Sequence, residues 1–485
     1  MRACNIKVSG IHFTNVLKCT IQKSLNKHGR AEIVGIIQEE DEDSCFAQAE
    51  SENYLEVYAI DENKSKTCIF VGMVEEMEID TTDVKILTLS LITGSRNLDL
   101  KKRTRTFQNA GMTVKQVLQS NEKLNSDVQA QSVFLEDGNN AIGHLIVQYK
   151  ETDWDFAIRM ASNNNTFIRP AFTNKGAKYF FGLDMGQAAK EKPSDMHHYK
   201  ITKAVDDYEK KVKADTNGLT KKDAFYYSFD SREIYELGDC IQLNGGKPLY
   251  ILNVESKFHG EELMNTYTLT TRNGFKHPIK YNMKLIGASL GGTVKSAQRD
   301  TIQVNLEVDR QYADHGVKEF SYSTVYSSPD GTGWYCMPES GDTIRIYFPT
   351  EKEQDAYAIS AVHLEVSQGS APETSDSDFP PARTDPSYKS FKNSANKEIL
   401  FTPSCISITN PAVGSIVLDD ESGITITSSE SICIKAEKFI EIHSMQEDIT
   451  VTADAALAFY QGNTGLVLNE DVIMKGARLK LQEKA

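Results

Sequence analysis

Long apolar runs are missing from this sequence. Nowhere do about 18 apolar residues follow one another, so a membrane-spanning helix is excluded. The opening stretch MRACNIKVSGIHFTNVLKC interleaves polar and apolar positions, so no export signal is expected. Basic excess is missing too. The 53 Lys and Arg stand against 68 Asp and Glu, a formal net charge of -15, and without a basic patch nucleic acid is not an expected partner. The eight cysteines, Cys4, Cys19, Cys45, Cys68, Cys240, Cys336, Cys405 and Cys433, form no CxxC and no paired spacing. They are read as reduced core thiols, with neither disulfides nor zinc.

Catalytic signatures are equally scarce. There is no GxSxG, HExxH, P-loop or dinucleotide glycine motif. Adjacent carboxylates such as Glu39-Glu40 and Asp419-Asp420 are read as solvated charge, because adjacency does not place two carboxyls across a scissile bond. The adjacent His197 and His198 of an extended segment point to opposite faces and make a poor metal pair. The Gly-Gly of LGGTV, from Leu290, is read as a turn. The two tryptophans, Trp154 on a helix and Trp334 in a small barrel, are read as core packing. No cofactor, no metal and no enzymatic activity are expected.

With 485 residues, 40% hydrophobic and 25% charged, the chain is long enough for several globular domains. Up to about residue 95 it alternates at period two, as in NYLEVYAID, CIFVGMVEEMEID and KILTLSLIT, which predicts an antiparallel β domain over 1–95. An α+β segment follows over 96–197. In it AGMTVKQVLQS predicts a short helix burying Val114, Val117 and Leu118, and a Thr152 to Asp155 capping box starts a second with Trp154, Ile158 and Ala161 on one face. The Asn163–Asn165 run ends that helix.

Strands return over 198–284, where PLYILNVESKFHG and MNTYTLTTRNGF predict a hairpin, while YEKKVKADTNGLTKKDA is read as a solvated connection. Short strands between Gly, Pro and Asp turns predict a small β-barrel over 285–367. Residues 368–396 are a Ser- and Pro-rich linker.

Beyond the linker, over 397–485, apolar residues come in pairs two apart, about every eight residues. The pairs are Ile399/Phe401, Ile406/Ile408, Ile416/Leu418, Ile424/Ile426, Ile432/Ile434, Ile440/Ile442, Ile449/Val451, Leu457/Phe459, Leu466/Leu468, Val472/Met474 and Leu479/Leu481. Each unit is then a short strand with one apolar face and a polar turn. Burying two side chains per unit falls short of the cost of ordering eight residues, so one copy is too weak to fold alone. Three copies around a shared axis would cover the apolar faces and pair the open strand edges. A single-chain β-helix is the alternative, but its coils need longer repeats.

Four stretches in this order give the chain a family resemblance. IVQYKETDWDFAIRM (146–160), IGASLGGTV running into IQVNLEVD, GWYCMPESGDTIRIYFP and the octad tail together resemble the VgrG family, also known as phage late control D proteins, over nearly the whole length. The resemblance implies tube-type β-barrel hub domains, an OB-fold barrel and a C-terminal intertwined trimeric β-prism needle. That is a mainly β fold with minor α. It also implies a homotrimeric structural hub-spike of a contractile injection system or phage-like tail, made in the cytoplasm, assembled in the baseplate and driven into the target cell envelope.

Its expected partners are itself, tail tube and baseplate proteins, and a PAAR-like tip protein at Leu479 and Leu481, where the last strands leave open edges. The family's usual residues around the OB-fold Gly-Asp stand here as Pro338-Glu339-Ser340-Gly341-Asp342. The interval before the needle is too short for an inserted enzyme domain. A wall-degrading spike and a stalked adhesin are the alternative functions.

Overall fold

In the computed structural model the described residues are 3–359 and 387–478, apart from 52, 82, 126, 137, 185, 187, 215, 217, 244–247, 310–315, 327, 329–333 and 470. They belong to two compact units, Met1–Leu364 and Glu365–Ala485.

The first unit is built on one twelve-stranded sheet. Its N-terminal strands are β1 (Ala3–Val8), β2 (Asn15–Ser24), β3 (Arg30–Ile37), β4 (Leu55–Asp61), β5 (Lys66–Thr81) and β6 (Lys85–Ile92), with helix α1 (Glu42–Glu50) between β3 and β4. The period-two pattern buries alternate residues of β3 and β6, so Ile33, Leu87, Leu89 and Leu91 lie in the core. Ten of the strands follow the order β1, β4, β5, β6, β3, β2, then Pro248–His259, Glu262–Thr270, Phe225–Ser231 and His197–Lys203, while the other two branch off, Cys240–Gln242 pairing with Pro248–His259 and Lys190–Glu191 with Cys240–Gln242. The two strand sets join where β2 runs antiparallel to Pro248–His259, with Ser24 opposite Asn253 and Cys19 opposite Phe258. One apolar core therefore runs through both, bringing Ile21 and Leu89 into a cluster with Phe229, Tyr267 and Leu269.

The expected hairpin forms between Pro248–His259 and Glu262–Thr270. Gly260 and Glu261 both take positive φ, 59° and 65°, the two-residue turn whose twist matches its strands. Helix α2 (Val114–Leu124) starts on a complete Thr113–Gln116 capping box and buries Val114, Val117 and Leu118 as predicted. Helix α3 (Asp153–Asn163) starts where the Thr152 hydroxyl accepts the N–H of Asp155. It buries Trp154, Ile158 and Ala161, but also Phe156, Ala157 and Met160. A single apolar face is too narrow a description, because α2, Ile146–Thr152 and the Gly94–Asp99 turn all pack on this helix.

Several expectations are corrected. The charged connection holds helix α4 (Val205–Lys213), whose Lys211 is buried and donates to the Gly274 carbonyl at 2.8 Å. Gly291 and Gly292 lie inside the strand Ser289–Gln298 rather than in a turn. A Cβ on Gly292 would come within 2.5 Å of Val304 and 2.9 Å of the Asn305 carbonyl, so the pair serves close strand approach. Trp334 is 53% exposed and not in a core. Among the thiols, Cys19, Cys45 and Cys240 are buried, whereas Cys336 and Cys433 are exposed. Of the expected linker, 368–386 lies outside the described residues, and Lys389–Lys392 is a strand paired with Glu398–Phe401.

Five strands over 289–359 form a separate sheet with Ser289–Gln298 at its centre. On one side stand Thr301–Leu306 and Glu319–Ser321, on the other Thr343–Tyr347 and Tyr357–Ile359. Its two ends approach at a single parallel bridge between Tyr322 and Ala358. Among the described residues no sheet closes completely within one chain.

His277 supplies a pH-dependent part of the stability. Its Nε2 is buried without a hydrogen-bond partner. Burial, then Lys211 and Lys280, push the imidazole from 6.5 down to about 4, against the pull of Asp207. A value depressed by folding means that this stability is whole above pH 6.5 and is lost as the pH falls towards 4. Urea unfolding of the full chain is expected to lose about 2 to 3 kcal/mol to this group between pH 7 and 4.5. The His277→Gln chain should lack that component, and identical pH profiles for the two proteins refute the assignment.

Candidate functional site

The second unit exposes its apolar residues instead of burying them. Strands Lys389–Lys392, Glu398–Phe401, Cys405–Asn410, Gly414–Asp419 and Gly423–Ser428 form an antiparallel meander. Its register sets the apolar pairs in two rows on one face: Ile399, Ile408, Ile416 and Ile426 in the first, Phe401, Ile406, Leu418 and Ile424 in the second. Phe391, opposite Ile399, extends the first row. The other face is mostly polar, with Ser407, Thr409, Ser415, Thr425 and Thr427, and the hydroxyls of Ser415 and Thr427 lie 3.0 Å apart. In the turn after Asp419, the N–H and hydroxyl of Ser422 and the N–H of Glu421 hold the Asp419 carboxyl below the usual carboxylate range.

A second meander, Leu457–Gln461, Thr464–Asn469 and Asp471–Lys475, repeats the arrangement. Leu457, Leu468 and Val472 make one row, and Phe459, Leu466 and Met474 the other. Val472 and Met474 carry the repeat, as the sequence pattern required, while Ile473 turns to the opposite face.

Between the meanders the pattern continues without a sheet. From Ser429 to Ala456 no residue belongs to a strand. Ile432, Ile434, Ile440, Ile442, Ile449 and Val451 are all more than half exposed, Ile442 at 73%. Single chains do not leave six β-branched residues at regular spacing in water without a covering surface. Leu457 and Leu466 are half-buried, and Leu479 and Leu481 lie outside the described residues.

In the first unit the residues of QYKETDWDF meet in a buried polar cluster. Gln148 donates to Asp153 at 2.9 Å and accepts from Asn121 at 3.1 Å. Asn125 donates to Asp153 at 2.7 Å, and Arg105 donates to both asparagines. Arg159 spans Glu151 at 3.0 Å and Glu353 at 2.8 Å, so it ties α3 to the five-stranded sheet's segment, and also donates to the Val147 carbonyl at 2.7 Å. Burial opposes the Arg159 charge, but the two carboxylates outweigh it and hold the guanidinium above its ordinary range. Burial pushes the Glu151 carboxyl up against the pull of Arg159. The spacing of these polar residues was legible, whereas their partners Arg105, Asn121 and Glu353 lie in distant segments without a local signal.

One arrangement resembles a hydrolytic triad. His28 Nδ1 lies 2.8 Å from Ser95 Oγ and its Nε2 3.4 Å from Asp99, and the ring lies against Trp154 with centroids 4.6 Å apart and planes tilted by 34°. Ser95 is only 1% exposed, so no substrate carbonyl reaches its hydroxyl. Burial, more than the neighbouring charges, lowers the His28 imidazole. His197 and His198 turn to different partners, Arg232 and Asp230. Among the described residues no three His, Cys, Asp or Glu lie together as metal ligands, and no helix is long and apolar enough to cross a membrane.

No protein-family profile matches the sequence, and no curated protein matches it. Solved structures do match. In fold, the chain is similar to a type VI secretion component and to a chain of a VgrG-containing complex. The E. coli c3393 protein is described as a component of the type VI secretion system with structural similarity to the T4 bacteriophage tail proteins gp27 and gp5. It aligns at 12% identity over 73% of this chain and 99% of its own, with a TM-score of 0.50. More particularly, the fold is like that in the Francisella PdpA-VgrG complex. A chain of its half-lidded form aligns at 9% identity over 87% of each chain, with a TM-score of 0.55. The mainly β, multi-sheet fold is thus shared with these solved structures.

Proposed function

We propose that this chain is a VgrG-like structural hub and spike, three copies of which close the end of a tube in the baseplate of a contractile or phage-like particle and pierce the target cell envelope. The observation that carries the proposal is the row of apolar pairs that continues from Ile432 to Val451, uncovered and without strand partners among the described residues. Two symmetry mates would supply both the missing ladder partners and the missing cover. Ile406 to Leu468 at the paired positions then form the dry axis of a needle. The rod is stiff because each apolar pair is locked by two others, and its work is force transmission rather than turnover.

On this proposal, 1–95 and 198–284 are the tube-like hub domains, 96–197 is the α+β insertion, 285–367 is the OB-fold, 368–396 the linker and 397–485 the needle. The strand order around Ser289–Gln298, with its ends meeting at Tyr322 and Ala358, supports the OB-fold assignment. Among the described residues the ten-strand path of that sheet ends at β1 and His197–Lys203 without further strand partners, which suits a ring that closes only between subunits. Tail tube and baseplate proteins would contact that ring, and a PAAR-like cone would close the tip at Leu479 and Leu481.

The test is the mass and shape of the purified full chain. Light scattering should give three times the mass of one chain, and negative-stain images a ring with a rod projecting from one face. A well-ordered monomer refutes the proposal.

A further inference from the structure

Trp334 stands in water instead of in a core, and it does not stand alone. Val325, Tyr326 and Tyr335 are likewise more than half exposed. Single exposed apolar residues are ordinary, but four between positions 325 and 335 form a patch, and such a patch marks a contact surface.

Hydrogen bonds fix the patch in place. The Trp334 N–H donates to the Tyr326 carbonyl at 2.9 Å, so the two residues face each other across a chain reversal. Side chains opposed in that way stand on the same side of the paired backbone, and their neighbours Val325 and Tyr335 fall on the other. Tyr326 is held at both ends: its carbonyl accepts from the Thr324 hydroxyl at 2.9 Å, and its phenol from the Ser328 hydroxyl at 3.2 Å. On the other side the Tyr335 hydroxyl donates to the Arg299 carbonyl at 3.1 Å, which pins the segment to the turn between Ser289–Gln298 and Thr301–Leu306. Tyr326 and Trp334 thus offer two large, stiff rings with little side-chain entropy to lose on binding. Their surroundings narrow the ligand. The residues next to them in the chain are the hydroxyls of Ser323, Thr324 and Ser328, unlike the apolar core of a protein interface. Lys295 and Arg299 stand against Asp300, Glu339 and Asp342 in the segments around them, which makes no positive groove for a nucleic acid. A ligand that suits this surface is uncharged, apolar on its faces and hydroxylated at its edges. A sugar ring has that character, because its axial C–H groups lie flat on an aromatic face while its hydroxyls point outward.

We propose that Tyr326 and Trp334 form a binding platform for an uncharged β-linked glycan, whose rings stack on the two aromatics while its hydroxyls meet those of Tyr326 and Ser328. The site depends neither on the needle nor on the number of copies in the assembly.

Calorimetric titration of the full chain with chitotetraose, a neutral β-1,4-linked tetrasaccharide, tests this and should give a dissociation constant of about 0.1 to 1 mM. Tryptophan fluorescence should change in parallel, and the change belongs to Trp334 because Trp154, the other of the two tryptophans, is buried. Trp334→Ala and Tyr326→Ala should each weaken binding about tenfold, the worth of one stacked ring, whereas Trp334→Phe keeps a ring and should recover most of the affinity. All variants should keep the parent's urea midpoint, so that lost binding is not lost folding. No binding of chitotetraose at about 10 mM, alanine variants that bind as the parent does, or a fluorescence change with phosphatidylcholine vesicles but not with the sugar each overturns the proposal. So does a Trp334-dependent rise in mass by light scattering without sugar binding, which would make the patch a contact between copies.

Discussion

If three copies share the needle as proposed, replacing Ile432 and Ile434 together by aspartate is expected to leave single chains with the first unit folded. In an isolated chain both positions are open to water, at 57% and 70% exposure, so the change costs the monomer almost nothing. Around a threefold axis the same change gathers six carboxylates in a dry interior with no cation in reach. Each buried charge carries a penalty of several kcal/mol, far beyond what neighbouring pairs can offset. The loss should therefore be complete at micromolar concentration. Cys433→Asp, between the two isoleucines and so on the opposite side of an extended chain, is the control that should keep the assembly. Sizing with light scattering reads the result, and a double variant still at three times the monomer mass would sink the packing argument.

The second large effect is expected at Arg159. Arg159→Leu leaves Glu151 and Glu353 facing each other without their cation and the Val147 carbonyl without one of its donors. Removing one partner of a buried ionic cluster costs about 3 to 5 kcal/mol, so the urea midpoint of the first unit should fall sharply. Arg159→Lys should recover little, because an ammonium cannot span two carboxylates and a carbonyl as the planar fork does. The triple change Glu151→Gln, Arg159→Met, Glu353→Gln should recover most of the loss, since no uncompensated charge remains. A loss below about 1 kcal/mol for Arg159→Leu would mean that the cluster is solvated and that the clamp does not exist.

These residues also mark what could be read from the sequence. Thr152 announces α3 because a cap acts over three residues, the spacing of Val114, Val117 and Leu118 announces α2, and the alternation within each strand announces the hairpin. The octads were legible as alternation, and the register of the meanders puts their pairs in rows on one face. Sheet order was not legible, because the pairing of β2 with Pro248–His259 depends on contacts that no local pattern encodes. Helix α4 was hidden by its charge, since Lys211 is buried through a carbonyl and Asp207 rather than through an apolar face. Trp334 was misplaced because an aromatic among turn residues has no alternation to fix its side. The partners of the QYKETDWDF motif, contributed by α2 and by Glu353, became visible only in three dimensions.

The seam between β2 and Pro248–His259 has a consequence for how the protein is made. Ser24 and Asn253 are 229 positions apart. At about 5 to 20 residues per second, a ribosome needs roughly ten to fifty seconds to deliver the second strand after the first. Throughout that interval the nascent chain carries an open, apolar sheet margin at β2, a template for misassembly between neighbouring polysomal products. Slow translation, or a chaperone that shields this margin until the second strand set emerges, would govern the yield of usable protein.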